Sequence, residues 1–327
     1  MVAGGQMVAS LRFGLLTEPT TEAGRSVQKC LLLAACAVLF VSSAHAATVA
    51  GGDLGFKVGV SVSSDSNVVD PSGTNPGGKS DYAGGVNLGA EYKRNIGDAG
   101  KLSVSYDFTG TGYDDISSRN NVLHLGSVTY MHRIDKVTVG GNYSYGDYRL
   151  DGDGFMTLKR ASAFLGMQGP LKSVVVASVA NTRKEFDGAL KDRDADANSV
   201  SLSATRKFGA NKVKLSYQFA DEDAKAAELD YSGHVVGINY ARELKLASRP
   251  VTMNAGVSYT RNDYDKTNFL IGKKRTDKRT RFELGFEHKT RSDITVGLTG
   301  SYQDSSSNLP SADYSRTMIE LSVSKRF

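Results

Sequence analysis

The sequence predicts an all-β fold, a closed antiparallel transmembrane β-barrel of about fourteen strands, within a range of about 12 to 16. Three observations support this prediction. Apolar and polar residues alternate through nearly all of the chain after residue 53. The alternating segments are about 11 to 15 residues long, whereas strands of soluble sheets have about five or six. The connections between these segments are alternately short and long, which is typical of barrels that cross a membrane.

The first element along the chain is a leader. Its apolar run, Cys30 to Val41, is about a dozen residues long, whereas a helix that crosses a bilayer needs about 20. Basic residues precede the run, and the small-x-small sequence Ala44 to Ala46 follows it, as in signal peptides. We predict a signal peptide region over 1–46 that is removed by cleavage after Ala46. The segment from Val27 is a complete leader by itself, so Val27 is a second candidate for the start.

The strands follow from period-two alternation, which places side chains on opposite faces of an extended chain. In Lys101 to Phe108 (KLSVSYDF), for example, the apolar side chains lie on one face and Ser103, Ser105 and Asp107 on the other. The same pattern predicts strands near 54–63, 82–93, 101–112, 120–133, 136–149, 156–168, 171–184, 198–208, 212–222, 228–242, 250–264, 278–290, 293–303 and 313–327. The longer, more polar connections are expected at 64–80, 185–197, 265–277 and 304–312.

A secreted soluble sandwich or propeller would also alternate. The predicted strands are longer than such folds need, and about 9 to 11 residues suffice for a tilted strand to cross the hydrocarbon layer. Tyrosines recur near the predicted strand ends, where aromatic rings favour the boundary between lipid and water. Since only a closed barrel satisfies every backbone group in lipid, we predict one barrel domain over 47–327.

The composition excludes several other classes of protein. The 40 Lys and Arg and 35 Asp and Glu give a formal charge of only +5, so no nucleic-acid partner is expected. Both cysteines, Cys30 and Cys36, lie in the leader, which leaves the barrel without thiol chemistry. The four histidines after the leader belong to no motif that pairs a nucleophile with a base. We therefore expect no enzymatic activity, no cofactor and no bound metal.

The end of the chain carries a recognisable pattern. Ile319 to Phe327 (IELSVSKRF) has apolar residues at alternate positions and a terminal aromatic residue. It resembles the C-terminal strand of Gram-negative outer-membrane β-barrel proteins, although Lys325 stands where that strand usually has an apolar or aromatic residue. The resemblance implies an integral outer-membrane location. It also implies that Phe327 is an assembly signal for the barrel assembly machinery.

A narrower resemblance covers about 20 residues at the same end. Ser307 and Asn308, followed by Tyr314-Ser-Arg-Thr and the final Lys-Arg-Phe, resemble the end of the barrel of surface lipoprotein assembly modifiers. Those proteins carry a helical repeat domain before the barrel, whereas here only Ala47 to Asp53 separates the leader from the first predicted strand.

The polar face of the predicted strands supplies the candidate pore lining. A barrel of fourteen strands is intermediate between filled eight-stranded barrels and open porins, so a water-filled channel for passive diffusion of small hydrophilic solutes is the favoured function. An export barrel for surface proteins, and a structural or adhesive barrel with a plugged lumen, are the alternatives. The expected lining residues are Lys57, Glu91, Lys93, Asp107, Lys212, Lys214, Arg281, Glu283, Glu287 and Glu320. With Lys207, Lys289 and Arg326, this face is slightly basic and favours anions.

The strongest charge run is Gly272 to Arg281 (GKKRTDKRTR), in a predicted outer loop and the strand that follows. Lys and Arg pair strongly with phosphate, and a barrel in the outer membrane meets the phosphates of lipopolysaccharide. We expect contacts to lipopolysaccharide from Lys273, Lys274, Arg275 and Lys278, against the alternative of a solvated loop. The sequence does not specify an oligomeric state.

Overall fold

The computed structural model describes residues 47–68, 78–246 and 249–327. The predicted leader, with Val27 and both cysteines, lies outside the described residues, so its cleavage stays a prediction. No helix in the described ranges is both long and apolar enough to cross a membrane.

Fifteen strands make up nearly all of the described chain. They are β1 (Ala47–Val49), β2 (Gly52–Asp65), β3 (Asp81–Ile96), β4 (Gly100–Tyr113), β5 (Asn121–Ile134), β6 (Val137–Leu150), β7 (Asp153–Gln168), β8 (Val174–Phe186), β9 (Ala195–Phe208), β10 (Asn211–Ala224), β11 (Tyr231–Leu246), β12 (Arg249–Asn268), β13 (Lys273–Lys289), β14 (Ile294–Ser307) and β15 (Tyr314–Arg326).

The strands from β2 to β15 close into a barrel. Each pairs antiparallel with its neighbour in the chain, and β15 pairs with β2 from Met318 opposite Asp65 to Arg326 opposite Lys57. The predicted closed barrel of fourteen strands is confirmed. The short strand β1 was not predicted; it pairs with β2 where Leu54 lies opposite Ala47.

Several strands are longer than alternation predicts. The connection expected over 265–277 is wrong, because β12 runs to Asn268 and β13 starts at Lys273, which leaves only 269–272 between them. The two strands stay paired there after a register shift between Asp263 and Thr267. The connection expected at 185–197 likewise shrinks to 187–194. Backbone pairing therefore continues past the point where the apolar face stops.

The two ends of the barrel differ. The turn end carries both ends of the closed sheet, before Gly52 and after Arg326, and connections at 97–99, 135–136, 169–173, 209–210 and 290–293. The loop end carries the connections at 66–80, 114–120, 151–152, 187–194, 225–230, 269–272 and 308–313. At the turn between β9 and β10, Gly209 has a φ of +55°, a conformation that glycine adopts without strain.

The two faces of the sheet have opposite chemistry. Residues that lie opposite one another on neighbouring strands share a face, and one face carries a band of exposed apolar side chains, with Val179 55% and Val200 56% exposed. The other face includes the buried Ala180, Thr182 and Ser199. Since side chains crowd only on the inside of a closed barrel, the apolar band lies outside and the polar face lines the interior.

Candidate functional site: the interior of the barrel

Small polar side chains recur on the interior wall of the barrel. Thirteen of the fourteen strands from β2 to β15 carry a Ser, Thr or Asn on the interior face away from both strand ends, and β13 carries Glu283 there. Neighbouring hydroxyls bond along the wall: Ser105 Oγ lies 2.9 Å from Ser127 Oγ, and Ser178 Oγ lies 2.7 Å from Ser201 Oγ. The residues are Ser61, Asn87, Thr109, Ser127, Asn142, Ser162, Ser178, Ser201, Ser216, Asn239, Ser258, Ser301 and Ser322.

This lining was missed by the sequence reasoning, which selected charged residues only. The signal was present as the polar half of each alternating segment. Short side chains project little into the interior, and their hydroxyl and amide groups can bond to water or to a polar solute. Between the charged positions, the wall can therefore border an aqueous space through neutral polar groups.

All ten expected lining residues lie on the interior face by strand register. They do not form one ring, because they occupy different heights. Three groups result: one on β2 to β4 with Lys57, Glu91, Lys93 and Asp107; one on β10 with Lys212 and Lys214; and one on β13 and β15 with Arg281, Glu283, Glu287 and Glu320.

The group on β2 to β4 contains both signs of charge. The Lys93 ammonium lies 2.7 Å from Glu91 Oε2, and Ser103 Oγ donates a hydrogen bond of 3.3 Å to Glu91 Oε1. A cavity of about 370 Å³ opens beside this pair, with Lys57, Asp107 and Arg326 in its lining. Such a pocket offers both a cationic and an anionic contact to a small solute.

The group on β13 and β15 is acidic on balance. Arg281 Nη2 lies 3.1 Å from Glu283 Oε2. Glu287 faces Thr252 across the β12–β13 ladder, and Glu320 faces Thr299 across the β14–β15 ladder. Within the described chain neither of these two carboxylates has a cationic partner within 4.0 Å.

Near the loop end, a buried ion pair joins the two strands that close the barrel. Arg316 Nε donates to Asp65 Oδ1 at 2.9 Å and Arg316 Nη2 donates to Asp65 Oδ2 at 2.5 Å. The Asp65 side chain is 1% exposed and that of Arg316 is 30% exposed. Close by, the buried Asp81 carboxylate accepts the backbone N–H groups of Asp115 and Ile116 at 3.1 and 2.9 Å. The Asp81 contacts hold the connection at 114–120, which follows β4, against the start of β3.

Also at the loop end, β12 and β13 hold a second network, which is half-buried. The Arg275 guanidinium pairs with Asp277 at 2.7 Å and stacks over the Tyr264 ring at 4.6 Å, with the Arg275 side chain only 17% exposed. Lys274 and Lys278 lie on the outward face in register with Thr267 and Arg261. Arg275 was expected to contact lipopolysaccharide together with the three lysines. In the structure its side chain pairs with an interior carboxylate instead. Lys273 lies at the start of β13 and is exposed.

The histidines of the barrel wall face outward. His124 Nδ1 lies 2.7 Å from the Tyr106 hydroxyl, and His234 Nδ1 lies 2.9 Å from the Tyr217 hydroxyl. His288 Nδ1 lies 2.8 Å from the backbone oxygen of Pro250 at the turn end. The described residues contain no group of three or more His, Cys, Asp or Glu placed to hold a metal ion.

The C-terminal residue is tied to the start of the barrel. Phe327 N–H donates to the oxygen of Phe56 at 2.9 Å, and Phe56 N–H donates to the oxygen of Phe327 at 3.2 Å. The Lys325 ammonium lies 4.8 Å from the centre of the Phe327 ring. The residue expected to act as an assembly signal thus lies at the turn end of the closing seam.

Comparison with solved structures supports the fold. The chain is similar to OmpT, an outer membrane protein of Vibrio cholerae in its trimer form, with a TM-score of 0.54 and 11% identity over 85% of this chain and 100% of the other. It is also similar to the anion-selective porin from Comamonas acidovorans, with a TM-score of 0.50 and 11% identity over 84% and 99% of the two chains. No protein-family model and no curated sequence matches the chain. The shared feature is therefore the barrel fold of outer-membrane proteins.

Proposed function

We propose that this protein is an integral outer-membrane channel for passive diffusion of small hydrophilic solutes. The observation that carries the proposal is the interior wall, where thirteen of the fourteen strands from β2 to β15 present a Ser, Thr or Asn away from both strand ends. Side chains fill the interior of barrels of about eight strands, and a barrel of fourteen strands is wider. The similarity in fold to an anion-selective porin is consistent with this function.

The charged interior residues give this channel a weak preference for anions. Rings and patches of charge set ion preference in pores, and the interior face bears more basic than acidic residues near the turn end. The lining residues in this proposal are the ten charged positions named above, from Lys57 to Glu320. The small hydroxyl and amide side chains between them form the neutral part of the wall.

The proposal also sets the orientation and the partners of the barrel. Short turns of outer-membrane barrels face the periplasm, so the turn end is periplasmic and the loop end is extracellular. Lys274 and Lys278, which face outward near the loop end, are then placed to contact phosphates of lipopolysaccharide, with Lys273 beside them at the start of β13. Phe327 is the assembly signal that the barrel assembly machinery reads, and the leader over 1–46 directs export.

The test is conductance in a planar bilayer. The protein, expressed with its own leader and purified from outer membranes, is added at low concentration under a gradient of KCl. We expect discrete conductance steps and a reversal potential that shows weak chloride preference. Replacing Lys57 and Lys93 by Gln should shift the reversal potential toward potassium, whereas Lys136→Gln, in an exposed turn outside the strands, should leave it unchanged.

Silence from correctly folded protein would contradict the channel. Folded barrel is recognised by its shifted gel mobility before boiling. A silent but folded barrel would favour the structural or adhesive alternative, and a requirement for a partner protein would favour the export alternative. Swelling of liposomes in isosmotic sugar solutions gives an independent measure of passage by neutral solutes.

A further inference from the structure

The hairpin of β9 and β10 has an unusual distribution of charge. From Ser199 to Ala220 the sequence contains four basic residues and no acidic residue. Arg206 faces outward, in register with Val213, and its guanidinium lies 5.7 Å from the centre of the Phe208 ring. The other three, Lys207, Lys212 and Lys214, have the opposite parity and face the interior. The turn end of this hairpin therefore presents three lysines to the lumen.

Strand register brings the three lysines together. Lys207 lies directly opposite Lys212 on the two strands, and Cβ atoms of directly opposed residues are about 4.5–5.5 Å apart. Lys214 follows Lys212 by two residues on the same face and lies opposite Thr205. Like charges directly opposite each other destabilise a sheet, so this arrangement has an energetic cost that a bound anion would remove.

No carboxylate within the described chain forms an ion pair with these three lysines. Four interior cations elsewhere in the barrel have ion-pair partners: Lys93 with Glu91, Lys184 with Glu222, Arg281 with Glu283 and Arg316 with Asp65. The three lysines of the hairpin have no such partner among the described residues, and all three are exposed.

The neighbouring strands do not supply a counter-ion either. On β8, the interior positions beside this end of β9 are Val174, Val176 and Ser178. On β11, Lys212 lies opposite Ala241, so Glu243 is only a diagonal neighbour, and the described chain shows no ion pair between Glu243 and a lysine. The cluster is thus free to bind an anion from solution.

We infer that Lys207, Lys212 and Lys214 form a binding site for a small phosphate dianion at the turn-end mouth of the lumen. The inference rests on the proposed function, since the lysines must border water-filled space that solutes can enter. Three ammonium groups supply nine N–H donors and a charge of +3. The phosphate dianion offers several acceptor oxygens and two negative charges, and lysine binds it as a point charge. Chloride, with one charge, gains less from three converging cations.

The experiment measures inorganic phosphate in two ways on full-length protein purified from outer membranes. In bilayers that lack lipopolysaccharide, phosphate is titrated into KCl on each side of the channel. We expect phosphate to reduce the chloride current and to do so at lower concentration from the turn-end side. Direct binding of phosphate to the purified protein in detergent is measured by calorimetry, which does not depend on an open channel.

The matched variants remove three positive charges from different places. In K207Q/K212Q/K214Q, phosphate binding and half-maximal block should weaken at least about tenfold, a change of about 1.4 kcal/mol in binding free energy. In K136Q/K172Q/R242Q the charges removed are exposed and lie near the same end, in two turns and on the outward face of β11, so phosphate binding should be unchanged. Gel mobility before boiling verifies that both variants fold.

The outcomes separate the site from the channel. If the channels conduct but phosphate neither blocks the current nor binds to the protein, the site is overturned and the channel function still stands. A silent barrel that still binds phosphate through the three lysines would overturn the proposed function and support the site. Equal loss of binding in both triple variants would show that general positive charge attracts the anion, and would overturn the specific site. Binding that appears only with lipopolysaccharide present would assign the phosphate to the lipid and would also overturn it.

Discussion

Breaking the ion pair between Asp65 and Arg316 should destabilise the barrel by an amount that depends on which partner is removed. Asp65 is 1% exposed, whereas the Arg316 side chain is 30% exposed. Arg316→Gln leaves a buried carboxylate whose other described donor is the Asn67 backbone N–H at 3.0 Å. Asp65→Asn leaves a guanidinium that water can reach and retains a side-chain oxygen that accepts a hydrogen bond.

The magnitudes follow from these exposures. A buried charge that loses its partner costs about 3–5 kcal/mol of folding free energy, which is the expectation for Arg316→Gln. A lost hydrogen bond to a charged group costs about 1.5–3 kcal/mol when the remaining group is partly solvated, which is the expectation for Asp65→Asn. The double variant D65N/R316Q should be more stable than the sum of the two single effects predicts, because no unpaired charge remains.

The assay is reversible urea unfolding of the purified barrel in lipid bilayers. The chain contains no tryptophan, so unfolding is followed by far-ultraviolet circular dichroism and by gel mobility. Lys136→Gln in the exposed turn serves as the control for a lost charge. Two results would refute the assignment of Asp65 as a buried charge that needs Arg316 as its partner. One is equal destabilisation by the two single variants, and the other is additivity of the double variant within about 0.5 kcal/mol.

Three further predictions concern the wall and the loop end. A cysteine at Leu284 should react with a lipid-soluble probe and one at Glu283 with a water-soluble probe, and the reverse pattern would refute the assignment of faces. Gly140→Ala should destabilise the barrel by about 1–3 kcal/mol in urea unfolding, since an added Cβ would lie 2.5 Å from the Tyr130 backbone oxygen; unchanged stability would show that the strands move apart easily. Asp81→Asn should accelerate proteolysis in the connection at 114–120, because that carboxylate accepts its backbone N–H groups, and unchanged protection would show that other contacts hold it.

The sequence predicts the number of strands and their faces because lipid outside and water inside impose different chemistry on alternate residues. The prediction fails at the strand ends for the same reason. On β12 and β13 the outward positions become Arg261, Asp263 and Lys278 near the loop end, so the apolar signal disappears while the backbone ladder continues. Alternation reports contact with lipid, and it cannot show where hydrogen bonding between strands ends.

The interior site was predicted only in part. Parity assigns Lys212 and Lys214 to the interior, but a shift of two residues between strands would leave every face unchanged. Which residues meet is set by the turn, and here the two-residue connection Gly209–Ala210 places Lys207 opposite Lys212. The sequence prediction left one more residue in that connection. Ion pairs between strands that are far apart in sequence, such as Asp65 with Arg316, form only when the barrel closes. No local sequence pattern predicts them.

Closure itself is the step with the least backbone support. The seam between β15 and β2 has nine residue pairs, whereas the β9–β10 hairpin has fourteen. Additional contacts lie at both ends of this short ladder: Asp65 with Arg316 near the loop end, and the two hydrogen bonds between Phe56 and Phe327 at the turn end. Because these contacts join residues about 250 to 270 positions apart, they form only when the barrel closes, and loop-closure entropy opposes them. Arg316→Gln should therefore slow the appearance of the folded gel species during refolding more than it changes the early gain of strand structure.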